Sequence, residues 1–383
     1  MDFDLTEEQS MLKDGLDRML ANEYAFEKRM AHMKEPEGFS TAMWNRYAEM
    51  GLLMLPFAEE DGGLGGGAQD IMLVMESMGR VLALEPYLAT VVIGGGFVRE
   101  GGSAAQKAEL IPAIADGSLK LALAHTERHA RYDLAHVGVT AERDGDGWVL
   151  NGAKSLALSG DTADKIFVTA RVSGGLTDED GISVFLVDAG AQGLSRRGYY
   201  LQDGSRAAEV TLDHVKASAD ALFGEAGKGF ALLAKVTDQA IAALCAEAVG
   251  IMAVMQETTV DYLKTRKQFG VEIGKFQVLQ HAATDMFIAT EQSRSITMYA
   301  TMMASSDDAQ ERGRAISAAK AEIGRNGKLS GENAIQLHGG VGMTMELAIG
   351  HYFKRMTMIN ILFGDGDHHL GKLARAGGLF QAA

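Results

Sequence analysis

The chain has 383 residues, a formal net charge of −15 and 47% hydrophobic residues. That length suits two or three domains with substantial cores, and the acidic balance excludes a nucleic-acid partner, which needs concentrated Lys and Arg. One cysteine, Cys245, rules out an intrachain disulfide and suits a reducing, cytoplasmic setting, while the sequence offers neither an apolar signal region after Met1-Asp2-Phe3-Asp4 nor an uncharged apolar run long enough to predict a membrane span.

From the start to about residue 118 the chain reads as helical. Thr6-Glu7-Glu8-Gln9 has capping-box spacing, and Met11, Leu12, Leu16, Met19 and Leu20 follow on one helical face. Ser40 is placed to cap a second helix ending before Gly51, Glu59 to Gly63 forms a turn, and another helix begins near Gln69. Ser103 caps a helix through Leu110 that Pro112 is expected to interrupt. Between about Leu119 and Gly224 the pattern turns to strands. Residues 165–171 and 182–188 are β-branched and aromatic runs, and Asp144-Gly145, Asp146-Gly147 and Asn151-Gly152 are hairpin-type turn pairs. Strands that cluster, rather than alternate with helices, predict a separate β-domain. From Gly229 long apolar-striped helices return, over 230–264, 276–303 and 315–336, consistent with a bundle. The 21 methionines suit adaptable helix packing.

Two motifs carry binding chemistry. In Arg266-Lys267-Gln268-Phe269-Gly270, followed by Gly274-Lys275-Phe276-Gln277, an arginine at a helix end can pair its planar fork with a pyrophosphate. Taken alone, the same residues are also a basic helix C-terminus with a glycine stop. In Gln336-Leu337-His338-Gly339-Gly340-Val341-Gly342, adjacent glycines let a dinucleotide pack against bare backbone; alone, this too is a tight inter-helix turn. Gly63 to Ala68 fits a loose dinucleotide pattern without the strand–turn–helix unit around it. Asp365-Gly366-Asp367-His368-His369 lacks a further ligand set, so no metal is expected. His125, His129 and His136 read as surface or loop residues.

Together the two motifs resemble those of the acyl-CoA dehydrogenases, in residue type and separation, and the resemblance spans essentially the whole chain. It implies an α+β fold with an N-terminal helical domain (1–118), a middle β-barrel domain (119–228) and a C-terminal four-helix bundle (229–383). It also implies FAD as cofactor, an acyl-CoA thioester as the substrate of an α,β-desaturation, and an electron-transfer flavoprotein as electron acceptor. In that family the two motifs reach across a subunit interface to the neighbour's FAD. Arg266, Gln268, Phe269, Gln277, Gln336, Leu337, Gly339 and Gly340 are therefore the expected cofactor contacts, with Thr126 and Ser159 beside the chain's own flavin position.

The departures from the family pattern fall on one side. Thr126-Glu127 begins the family's Thr-Glu-Pro loop, but Arg128 stands at the proline. Leu156 replaces the ring-stacking aromatic of Lys-x-Trp-Ile-Thr, and Leu158 replaces a hydroxyl donor, with Ser159 adjacent. The family's Tyr-Glu-Gly-Thr is Phe363-Gly364-Asp365-Gly366, so the usual general base is a glycine; the other base position used in the family holds Ala240. A base must reach its proton, and Asp238, Asp365 and Asp367, the remaining candidates, are displaced along the chain. What is kept would serve a neighbour, and what is lost would serve the chain itself. The resemblance is thus to the small or non-catalytic subunit of heteromeric acyl-CoA dehydrogenases such as pimeloyl-CoA dehydrogenase, paired in a heterotetramer with a paralogous large subunit. The alternatives are a self-sufficient homodimer or homotetramer using another carboxylate, a flavin oxidase or monooxygenase, and a non-catalytic scaffold.

Overall fold

Thr6 and Ser103 each close a capping box with the glutamine three residues on, which starts α1 (Glu7–Glu23) and α6 (Ala104–Ala115). Between them lie α2 (Phe26–His32), α3 (Thr41–Glu49), α4 (Ala68–Val81), a π-helix over Leu88–Gly94 and α5 (Gly95–Gly101). Ser40 caps α3 by accepting the Met43 N–H. Pro112 does not interrupt α6. It sits on the exposed face, where water can satisfy the carbonyl its ring leaves without an N–H, while buried Leu110, Ile111 and Ile114 hold the other face. This computed structural model describes residues 5–379.

The strands are β1 (Leu121–Ala124), β2 (Thr140–Asp144), β3 (Gly147–Leu158), β4 (Lys165–Arg171), β5 (Ile182–Asp188), β6 (Leu194–Tyr200), β7 (Arg206–Ala217) and β8 (Leu222–Phe223). They form an eight-stranded sheet in the order β6-β7-β3-β2-β4-β5-β8, with β1 parallel to β4. Its core includes Trp148, Leu150, Ile166, Phe185, Val187 and Val210. The β2–β3 hairpin closes at Asp144–Gly147, but Asn151-Gly152 is not a turn. The pair lies inside β3 at a register shift against β7. There the Asn151 side chain accepts the His214 N–H, and a Cβ on Gly152 (φ +135) would come within 2.8 Å of Val139. A bulge-forming role replaced the turn role because the neighbouring strands continue past it.

The C-terminal helices are α7 (Phe230–Thr265), α8 (Gln277–Met303), α9 (Ala309–His338), α10 (Ala348–Ile361) and α11 (Gly366–Arg375), with short strands β9 (Lys267–Gln268) and β10 (Val271–Glu272) after α7. Helix α7 alone, among the described residues, is long and apolar enough to cross a membrane, but 89% of its apolar window is buried inside the protein. It is a core helix. The chain divides into two compact units. One gathers the residues up to Ala31, Ala68–Ala83 and everything from Ile241; the other gathers His32–Gly67 and Leu84–Ala240.

Candidate functional site

In the helical unit, the Arg266 motif folds as a two-residue hairpin. Gln268 pairs with Val271 and Lys267 with Glu272, leaving Phe269 and Gly270 at the tip. Both tip residues have positive φ, +53 and +79, the pattern of a type I′ turn. Phenylalanine in that region is strained by about 1 kcal/mol or more, and its ring is 90% exposed. An aromatic held in a strained backbone and turned outward is a group prepared for contact. Arg266, Gln268 and Gln277 are exposed beside it.

The second motif ends α9. Gln336, Gly339 and Gly340 are exposed, and a Cβ built on either glycine meets nothing within 4 Å. Leu337 differs from expectation: it is 6% exposed, because helical periodicity turns it into the core with His338. Only its backbone is available to a ligand. The guanidinium, the amide side chains and the uncovered glycine backbone fit a pyrophosphate-bearing dinucleotide supplied from outside the unit.

The base loop is different. Gly364 has φ +110, and a Cβ there would meet His368 Cδ2 at 2.7 Å and His369 Nε2 at 2.8 Å. His369 is 1% exposed and bonded at both nitrogens, Nδ1 to Ser317 Oγ (3.3 Å) and Nε2 to the Phe363 carbonyl (3.0 Å). Burial pushes its pKa down to about 3, so the ring is neutral. The space just beyond Cα at Gly364 is thus occupied by the two imidazoles. The loop is also pinned from below, since the buried Lys320 ammonium donates to the carbonyls of Ile359, Asn360 and Leu362. Asp365 is the N-cap of α11, accepting the His368 N–H at 2.8 Å, and Asp367 is exposed. One oxygen of the Asp365 carboxylate is thereby engaged by its own helix. Ala240 is fully buried, and Glu247 further along α7 accepts from Arg355 Nε and Nη2 at 2.6 and 2.7 Å.

In the β-containing unit, Thr126 lies against a bulge of β3. The register slips between Lys154 and Ala157, the Ser155 N–H donates to the Thr126 carbonyl at 2.8 Å, and Thr126 bridges to Leu156. The Tyr199 hydroxyl donates to the Ser155 carbonyl, also at 2.8 Å. Ser159 follows in the left-handed region (φ +53), its N–H donating to the Arg206 carbonyl.

Beneath this surface runs a buried polar chain that sequence reasoning did not assign. Glu127 accepts from Lys154 Nζ at 2.8 Å and from the N–H groups of Gly138 and Val139. Lys154, fully buried, also donates to Thr169 Oγ1, which meets His125 Nδ1 at 2.9 Å. Burial opposes ionisation of Glu127, but Lys154 and the two N–H groups outweigh it and hold the carboxyl below its usual range. Burial pulls Lys154 down to about 8 against the attraction of Glu127. His125, read from the sequence as a surface or loop residue, is buried with a pKa of about 3. Arg171 ties the same loop from its far side, donating to the carbonyls of Ala135 and Val137. A lysine within strand β3 was the available signal, since a buried Lys needs a buried partner.

Known proteins match along the whole chain. Residues 6–118, 122–215 and 227–378 match the N-terminal, middle and C-terminal domains of acyl-CoA dehydrogenase, respectively. Acyl-CoA dehydrogenase FadE12 of Mycobacterium tuberculosis is 30% identical, covering 90% of this chain and 89% of its own. Among solved structures, a variant of the Tcur3481-Tcur3483 steroid ACAD is 30% identical with a TM-score of 0.87, covering 97% of each chain. The FAD complex of PigA is 27% identical with a TM-score of 0.90, covering 99% of this chain and 100% of its own. The chain belongs to the acyl-CoA dehydrogenase family, carries that family's succession of helical, β and helical domains, and is a flavoprotein oxidoreductase with FAD as its cofactor.

Proposed function

We propose that this chain is the base-lacking subunit of a heteromeric acyl-CoA dehydrogenase, and that its helical unit completes an FAD site in a paralogous subunit that carries the glutamate. The observation that supports this is the contrast between a base position packed with His369 and a set of cofactor-type residues, Arg266, Gln268, Phe269, Gln277, Gln336, Gly339 and Gly340, left facing outward. Bound FAD would supply the two-electron acceptor for α,β-desaturation of an acyl-CoA thioester. This chain's part is to bind and orient. Arg266 meets the pyrophosphate, Gln336 offers a hydrogen bond to the adenine or phosphate portion, and Phe269 covers apolar surface. Proton removal falls to the partner's carboxylate, and an electron-transfer flavoprotein takes the electrons onward. The lone buried cysteine agrees with a cytoplasmic setting.

The deciding experiment is the flavin-to-protein ratio of the chain purified alone and after co-expression with a glutamate-bearing paralogue. A ratio near zero alone, restored with the paralogue together with acyl-CoA-dependent flavin bleaching, is the expected result. Full flavin content and turnover in the chain alone would replace this reading with a self-sufficient homo-oligomer.

A further inference from the structure

The two outward-facing motifs are joined by a side-chain pair that neither motif accounts for. Tyr262, one helical turn before Arg266, and His338, two residues after Gln336, stack with ring centroids 4.5 Å apart and planes at 26°. His338 is 4% exposed, and its Nδ1 lies 2.8 Å from the Ala334 carbonyl, so the N–H there donates back into α9. Burial lowers its pKa against the pull of that carbonyl, which favours the neutral imidazole. Gly342 closes over the same residue: a Cβ on it would stand 3.1 Å from His338 Cβ and 2.8 Å from the Ile335 carbonyl. On the other side, the Ile273 N–H donates to the Arg266 carbonyl at 2.9 Å, and Gln280 donates to the Gly274 carbonyl at 2.8 Å. The hairpin is thereby tied to α8 and, through Tyr262, to the end of α9.

The geometry points to His338 as a positioning residue. Stacked on Tyr262, it holds the 266–272 hairpin and the 336–343 turn at one separation, so that Arg266 and Gln336 engage the same dinucleotide without reordering either turn on binding. Two contact elements on separate helix ends need such a joint, because each turn left free would lose its own conformational entropy when the ligand arrives. The ring stack uses no charged donor, so it does not compete with the ligand for such groups. This inference rests on the reading of Arg266 and Gln336 as FAD contacts for its consequence, but not for the joint itself.

Amide hydrogen exchange on the full chain tests the joint without cofactor. His338→Ala is expected to speed exchange about fivefold to tenfold at residues 266–274 as well as at 338–343, the equivalent of losing one aromatic pair. His338→Phe, which keeps a ring on Tyr262, should stay within about twofold of the parent. Faster exchange confined to 338–343 would overturn the joint. Should His338→Ala unfold, Tyr262→Leu takes its place, and the inference then requires the change to appear at 336–343; unchanged exchange there overturns it. FAD titration of the assembled flavoprotein, with Arg266→Ala as the direct-contact control, separates the two layers. If Arg266→Ala binds FAD as the parent does, the cofactor assignment fails while the exchange result stands. If Arg266→Ala weakens FAD binding and His338→Ala does not, the positioning role fails. Weakening in both, with recovery in His338→Phe, supports it.

Discussion

Gly364 and Gly340 occupy turns at the ends of neighbouring helices in one unit, and the same residue type does opposite work in each. At Gly364 the missing side chain is replaced by the protein's own His368 and His369; at Gly340 the space beyond Cα is open. A lost catalytic group that leaves a hole can be restored by one substitution, whereas one whose space has been filled and hydrogen-bonded cannot. The first glycine is enclosed by the chain's own side chains, and the second leaves the space beyond its Cα open.

The sharpest way to break that comparison is to put the acid back. Gly364→Glu must force a side chain into the His368 and His369 rings from a left-handed backbone, and should destabilise the chain by roughly 3 kcal/mol or more, without creating acyl-CoA-dependent flavin reduction. Denaturant unfolding measures the first and anaerobic flavin bleaching the second. Gly364→Glu with His369→Ala should regain part of the stability, which would identify the His369 imidazole as part of the obstruction. Activity restored by Gly364→Glu alone would end the argument from filled space.

In the β-containing unit, Lys154→Met removes the ammonium partner of the Glu127 carboxylate, leaving it to the N–H groups of Gly138 and Val139, and should cost about 3 kcal/mol. Lys154→Met with Glu127→Gln should cost less than the single change, because no charge is then left buried without a counter-charge. A double change at least as damaging as the single one would show that the pair acts through packing.

Each unit holds one strongly depressed histidine, His125 and His369, both brought to about 3 by burial. Their folded pKa lies below the unfolded value of about 6.5, so the unfolded chain takes up protons that the folded chain refuses. Their contribution is complete above about pH 6.5 and is lost as the pH falls toward 3. At pH 5 each costs about 2 kcal/mol. The unfolding temperature should therefore drop between pH 7 and pH 5, and His125→Phe and His369→Phe should each flatten that dependence. The smallest stability change belongs to Gly340→Ala, within about 0.5 kcal/mol of the parent because the added methyl meets nothing. Its FAD affinity should nevertheless fall about tenfold in the assembled flavoprotein, as equilibrium titration would show.

Much of this was legible in the chain itself. The capping residues Thr6, Ser40 and Ser103, the strands at 165–171 and 182–188 and the long C-terminal helices follow from local chemistry, and the structure places them as read. Pro112 and Asn151-Gly152 were misread because local breakers yield when one face is exposed or a neighbouring strand requires a bulge. Periodicity explains why Leu337 turns inward, but the motif match masked it. The absence of a glutamate at Gly364 was visible; the filling of its space was not. That filling depends on Ser317, Lys320 and His369, which come together only in three dimensions. The Glu127–Lys154 pair was likewise split between two motif fragments whose contact the sequence does not announce.

Cys245 is the chain's one thiol, and it lies wholly inside, with burial pushing its pKa up to about 12. At neutral pH it carries no thiolate at the surface, so the native chain is silent toward maleimides and alkylating probes. A cysteine introduced at the hairpin tip, Phe269→Cys, would therefore be the single labelled position. One fluorophore there would report, by quenching or energy transfer, when another subunit arrives.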